Sequence, residues 1–293
     1  MKIGIIANIT KENIYPALKH LLQLLDLNKC DYRLSDLLVS VKGEFGPDIP
    51  GDLFIPNSSL GQCDVVVSFG GDGTMLNTAF DLRKTNTPVA GINFGKLGFL
   101  AEYEIAGMEE FVTDLKNRNF VIEERMALEA RCDKESEQEL YAINDMVLDK
   151  GRWPKMIELT VHSDDEYVAT FSADGLIVST PTGTTGYSLS TGGPIVVPNA
   201  DVITISPIAP HTLTMRPLVL PADKKISVTL KSQHTSVQVN CDGQRVSYYE
   251  PPVKIEIARS SNPFQLVHTN KTSYFEILRN KLHWGIDLRK NSL

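Results

Sequence analysis

Cysteine is scarce in this chain and badly spaced for metal or disulfide chemistry. Only four occur in 293 residues. Cys30, Cys63, Cys132 and Cys241 lie far apart with no Cys-x-x-Cys pair, which argues against a zinc site or a disulfide framework and fits a reducing cytoplasm. Long apolar runs are missing too. Nothing approaches the roughly 18 residues of a membrane span, and the apolar run after Met1-Lys2 ends at Asn8, too soon for a signal segment. Positive charge is in deficit: the formal net charge is −7, so no general attraction to nucleic acid or anionic membrane is expected. Internal repeats and low-complexity tracts are also lacking. What is present, 42% hydrophobic and 22% charged residues, is the composition of a globular protein, long enough for one large or two ordinary domains.

The first third alternates between strand and helix. Lys2 to Ala7 reads as a strand, and Ile14, Ala17, Leu18, Leu21, Leu22 and Leu25 fall at helical spacing, with Thr10 as a plausible N-cap. From Asp36 to Ser59 periodicity lapses around Pro47, Pro50 and Pro56, predicting a loop, either mobile or covering a site. Strand-like Asp64 to Phe69, helical Met75 to Arg83 and strand-like Val89 to Ile92 then resume the alternation. Such a pattern predicts a Rossmann-like parallel α/β sheet, with ligands beyond the carboxyl ends of its strands. After a helix over Met108 to Asn117 the pattern changes. Val121 to His268 reads as short strands, several alternating with period two, which predicts a β-rich, sandwich-like domain. Tyr274 to His283 is helical again.

Gly70-Gly71-Asp72-Gly73-Thr74 closes the strand that ends at Phe69. Clustered glycines let backbone N–H groups face anionic oxygens at a helix N-terminus. A carboxylate there would repel phosphate, so Asp72 suits a chemical task, accepting an alcohol's proton or holding Mg²⁺ with a nucleotide; the bland alternative is a strand-to-helix turn with Asp72 as a cap. Asn144-Asp145 interrupts the apolar run Leu140 to Leu148, where a β-bulge or strand end explains it as well as a function does. Asp174 to Pro194 interleaves Thr and Ser hydroxyls with Gly183, Gly186, Gly192 and Gly193, suited equally to a polar surface loop or to close approach of a ligand. Asp242-Gly243-Gln244 is first of all a hairpin turn.

Taken with Pro88 to Leu100, these segments resemble the NAD kinases, in the family's order from Met1 to about Trp284. Gly-Gly-Asp-Gly-Thr is shared with lipid kinases, but the Thr180-Pro-Thr-Gly segment is much more specific. The resemblance implies an enzyme that transfers the γ-phosphate of ATP to the 2′-hydroxyl of the adenosine ribose of NAD, with Asp72 as general base and Gly71, Gly73 and Thr74 shaping the phosphate loop. It further implies that Asn144 and Asp145 meet the NAD ribose, Asp145 being one methylene shorter than the family's usual glutamate. Asp174 would meet the nicotinamide side, while Thr185, Tyr187 and Ser190 would line the adenosine end, with Gly186, Ser188 and Leu189 in the same binding segment. Lys155 and Gln244 would approach the same pocket, and Gly186 stands where the family more often has alanine.

The implied organisation is an α/β phosphate-loop domain over 1–120, to which 271–293 returns, and a β-rich NAD-binding domain over 121–270, with the active site between them. A divalent cation, expected to be Mg²⁺, would be held mainly by nucleotide phosphates, since no dedicated metal-ligand set is visible. A cytoplasmic homo-oligomer, dimer or tetramer, that binds no nucleic acid or membrane completes the expectation. The rival readings are a lipid or sphingoid-base kinase sharing the glycine loop, and a non-catalytic dinucleotide-binding regulator.

Overall fold

A computed structural model describes residues 1–10, 14–94, 98–134, 138–268 and 273–285. They divide into two compact units, one of Met1–Glu124 with the segment from Gln265 onward, the other Arg125–Phe264.

The first unit opens with β1 (Lys2–Ala7), α1 (Ile14–Leu27) and β2 (Asp31–Ser35). The apolar stripe of α1, Ile14, Ala17, Leu18, Leu21, Leu22 and Leu25, is buried, as its helical spacing requires. The stretch read as an irregular loop is instead a packed chain of short elements. Short 3₁₀ helices run through it with α2 (Lys42–Phe45) and β3 (Phe54–Ile55), pinned by buried Leu38, Phe45 and Leu60. Next come β4 (Val65–Phe69), wholly buried, α3 (Asp72–Asp81), β5 (Val89–Asn93), β6 (Tyr103–Glu104), α4 (Met108–Asn117) and β7 (Val121–Arg125).

The second unit holds two six-stranded sheets. Its elements are β8 (Leu128–Cys132), β9 (Leu140–Ala142), β10 (Asp145–Asp149), β11 (Ile157–Ser163), β12 (Glu166–Ala173), β13 (Gly175–Ser179), α5 (Tyr187–Ser190), β14 (Val202–Ile208), β15 (Leu218–Pro221), β16 (Ile226–Lys231), β17 (Val237–Cys241), β18 (Arg245–Tyr249) and β19 (Val253–Arg259). One sheet runs β15-β14-β13-β10-β17-β18 and the other β12-β11-β16-β19-β8-β9, with antiparallel neighbours. Both contribute to one apolar core, for example Met146 and Leu148 from one and Leu159 and Leu230 from the other. This is the sandwich that period-two alternation implies.

The chain re-enters the first unit through β20 (Phe264–His268) and ends in α6 (Tyr274–Leu282). The first sheet has the order β3-β2-β1-β4-β5-β20-β7, with β6 beside β5, and β1 to β6 and β20 pair in parallel. β4 lies centrally, and the glycine turn leaves its carboxyl end, where ligands of such sheets bind. The proposed cap Thr10 directly precedes residues 11–13 in sequence, which lie outside the described residues.

Candidate functional site

In the first unit, the strand-to-helix turn places Asp72 at the first position of α3. Gly71 precedes it in extended conformation, and its carbonyl accepts the N–H groups of Thr74 at 2.9 Å and Met75 at 3.2 Å. Gly71, Asp72, Gly73 and Thr74 are all partly exposed, so the turn is open to a ligand.

The Asp72 carboxylate is held by a second loop that sequence reading left without a role. Oδ2 accepts the Phe99 N–H at 3.0 Å, and Oδ1 accepts those of Leu100 at 3.0 Å and Ala101 at 3.3 Å. Gly98 makes this approach possible, because a Cβ there would stand 2.1 Å from Asp72 Oδ1. From α6, the Lys281 ammonium donates to Oδ2 at 3.2 Å. Residues 95–97 of the connecting segment lie outside the described residues.

In the second unit the organising group is Asp242, which the sequence presents only as a turn residue. Asp242 and Gly243 both adopt left-handed φ, 57° and 67°. They open the three-residue hairpin loop, Asp242 to Gln244, between β17 and β18. The carboxylate turns inward, accepting N–H groups from Ile143 at 3.1 Å, Asn144 at 2.7 Å and Asp145 at 3.3 Å, and pairing with Arg245 at 3.1 Å. It thereby fixes the backbone at Asn144 and Asp145.

The hydroxyl-rich segment closes over the same point. Thr180 donates its N–H to the Asn144 carbonyl at 2.9 Å and its hydroxyl to the Ile143 carbonyl at 2.5 Å. The following turn sits so tightly that a Cβ on Gly183 would lie 2.0 Å from the Asn144 oxygen. A Cβ on Gly186 would lie 3.7 Å from Asp145 Oδ2, which puts that carboxyl under the turn.

Asp145 is buried, and burial, reinforced by the Asp242 charge, pushes its carboxyl up to about 7. Asp242 is also raised by burial, but its donors work against that shift. Four groups that prefer the charged form surround Asp242, so the proton of this pair resides on Asp145.

The other candidates are scattered in character. Asp174 is engaged by Lys150 at 2.7 Å, a partner the sequence did not single out. Tyr187 and Ser190 are exposed, and Thr185 and Leu189 half-buried. Thr185 and Ser190 donate to carbonyls three residues earlier, Thr182 at 3.3 Å and Tyr187 at 2.8 Å. Ser188 is fully buried and its hydroxyl pairs with Ser206 at 2.9 Å, which packs the segment onto β14. Lys155 is exposed in the turn before β11, and Gln244 is exposed at the Asp242 hairpin.

A parallel α/β unit bearing a carboxylate in a glycine turn at a helix N-terminus is thus joined in sequence to an antiparallel sandwich with a polar glycine-rich turn. Comparison with known proteins supplies the particular family. Residues 54–120 match the ATP-NAD kinase N-terminal domain and residues 143–269 the ATP-NAD kinase C-terminal domain. An NAD kinase of Prosthecochloris aestuarii is 37% identical over 100% of both chains, and one of Chlorobium phaeovibrioides 36% identical over 97% of this chain and 99% of its own. Among solved structures, yeast NADH kinase complexed with NADH superposes with a TM-score of 0.89 at 23% identity, covering 99% of this chain and 89% of that one. An NAD kinase from Archaeoglobus fulgidus in complex with ATP gives 0.74 at 24% identity, covering 97% and 98%. The chain belongs to the NAD kinase family and is an NAD kinase, a phosphotransferase. Nothing in these likenesses favours a lipid kinase or a non-catalytic binder.

Proposed function

We propose that Asp72 is the general base that takes the proton of the adenosine-ribose 2′-hydroxyl of NAD while that oxygen attacks the γ-phosphorus of ATP, yielding NADP and ADP. The observation that carries this reading is the convergence on Asp72: three backbone N–H groups fix a carboxylate inside a glycine turn at a helix N-terminus. A binder of phosphates gains nothing from a carboxylate so placed. A phosphotransferase gains a positioned proton acceptor, and an alcohol is a poor nucleophile without one. The N–H groups at the start of α3 and the Thr74 hydroxyl serve the phosphates.

The second unit holds the dinucleotide. Asn144 and Asp145, fixed from behind by Asp242, address the ribose, and Tyr187 and Ser190 border the adenosine end. Asp174, already paired with Lys150, meets the nicotinamide side. Lys155 and Gln244 act from the periphery.

The divalent cation arrives on the ATP phosphates as part of the substrate. Among the described residues no three His, Cys, Asp or Glu side chains gather to hold a metal ion. We place the enzyme in the cytoplasm as a homo-oligomer; among the described residues no helix is long and apolar enough to cross a membrane.

A coupled assay of NADP formation from NAD, ATP and Mg²⁺, with diacylglycerol as the competing acceptor, tests the reaction. NADP carrying its new phosphate on the 2′-oxygen is expected. Phosphorylation of diacylglycerol without NADP would overturn it.

A further inference from the structure

An ionised carboxylate offers about four acceptor positions, two on each oxygen. On Asp72 all four are taken: Leu100 and Ala101 N–H on Oδ1, Phe99 N–H and the Lys281 ammonium on Oδ2. A hydroxyl that is to give its proton to Asp72 must therefore take a position already in use. The three N–H donors belong to one loop, which lies so close to the carboxylate that a Cβ on Gly98 would stand 2.1 Å from Oδ1. To displace these donors the backbone from Phe99 to Ala101 must move, and Leu100 and Ala101 are buried.

Lys281 is of another kind. It stands in the last turn of α6 on a flexible stem, its side chain 28% and that of Asp72 27% exposed, 3.2 Å apart. An ion pair this accessible is worth little and breaks readily. Its ammonium also lies 5.3 Å from the centre of the Phe99 ring, and Tyr274 of the same helix packs on that ring at 6.3 Å. The ring thus offers Lys281 a second resting place beside the carboxylate, at the very loop that holds Asp72.

We propose that Lys281 is a placeholder for the acceptor hydroxyl: it fills the one exchangeable position on Asp72 Oδ2 until the substrate's 2′-hydroxyl displaces it. The inference rests on the reading of Asp72 as the base. Orientation of the carboxylate does not depend on Lys281, because the three N–H groups supply it. The lysine instead sets a small toll on the hydroxyl alone, and so acts on hydroxyl recognition and not on the chemical step.

The test compares NAD with 2′-deoxy-NAD, which lacks the displacing group. Titration calorimetry on wild type, Lys281→Met and Lys281→Arg gives the ratio of Kd for the deoxy compound to Kd for NAD. Both compounds carry the same charge, so the ratio cancels any general loss of attraction for an anion. In Lys281→Met the ratio should rise about two- to fivefold, the range set by a partly exposed ion pair, while Lys281→Arg keeps the wild-type ratio. An unchanged ratio in Lys281→Met would overturn the proposal. So would a tenfold loss of kcat, which would put Lys281 in the chemical step. Asp72→Asn assayed alongside keeps the two readings apart: full activity there defeats the base, whereas the ratio in Lys281→Met judges the placeholder.

Discussion

At the scale of single residues, the acid inside the glycine turn was legible because it is chemically out of place, whereas its supports were not. Lys281 meets Asp72 across 209 residues of sequence, and Asp242 reaches Ile143 across 99. No local pattern carries such pairings, and Asp242-Gly243 read in isolation is an ordinary turn. Asp72→Asn keeps size and polarity but cannot accept a proton, so kcat should fall by about 10²- to 10⁴-fold with Kd for NAD nearly unchanged. NADP production and calorimetry on one preparation check this, and activity within about threefold of wild type would remove Asp72 from the role.

Asp145 makes a prediction of a different sort. Its carboxyl titrates at about 7 in the fold against 3.8 ordinarily. Between those values the unfolded chain has lost the proton and the folded chain keeps it. Stability contributed by this group is therefore present at low pH and is lost as pH rises through the window, at up to about 1.4 kcal/mol per pH unit, then levels off above 7. Asp145→Asn should flatten that slope. Urea midpoints of both proteins at pH 5 and pH 8 decide it: equal losses of stability in the two would place the proton elsewhere.

Among elements, those with a sustained period were readable and those without were not. The buried stripe of α1 and the alternation of β17 and β19 show in sequence as they do in space, whereas β16 buries Ser227 along with its apolar residues. Between Asp31 and Gln62 the anchors Leu34, Leu38, Phe45 and Leu60 are spaced too irregularly to mark a helix or a strand, though each is buried. α3 begins at Asp72, three residues before the apolar pattern does, because Gly71 and the turn start it. Glycines within the hydroxyl-rich segment differ in a way only the fold shows. A Cβ on Gly183 would meet the Asn144 backbone at 2.0 Å, while the nearest atom to one on Gly186 is the Gly183 oxygen at 3.2 Å. Gly183→Ala must push backbone aside and should cost about 1–3 kcal/mol and weaken NAD binding, with Gly186→Ala costing clearly less. Thermal midpoints of the two variants, with NAD titrations, give the comparison, and a reversed order would mean that the turn does not rest on Asn144.

For the molecule as a whole, the change from alternating elements to short strands announced two kinds of architecture, and each unit has a buried core of its own. One cluster joins Ile3, Ile5, Leu18, Leu21, Val65 and Phe111 with their neighbours, the other Leu148, Leu159, Leu176, Val228, Leu230 and Val239 with theirs, and no residue belongs to both. Leu21 and Leu230 are each fully buried in these clusters. Truncating either to alanine removes apolar contacts and leaves a cavity, at about 2–5 kcal/mol. Because the damaged core lies within one unit, the extra opening should appear there first as a sub-global event. Native-state hydrogen exchange should then show Leu21→Ala lowering protection in β1, β4 and α1 while β16 and β17 keep theirs, and Leu230→Ala doing the converse. Equal loss of protection in both units from either substitution would instead mean that the chain opens as a single cooperative body. In that case the phosphate turn at Asp72 and the dinucleotide turn at Asn144 would share one stability, and a core substitution in either unit would reach both at once.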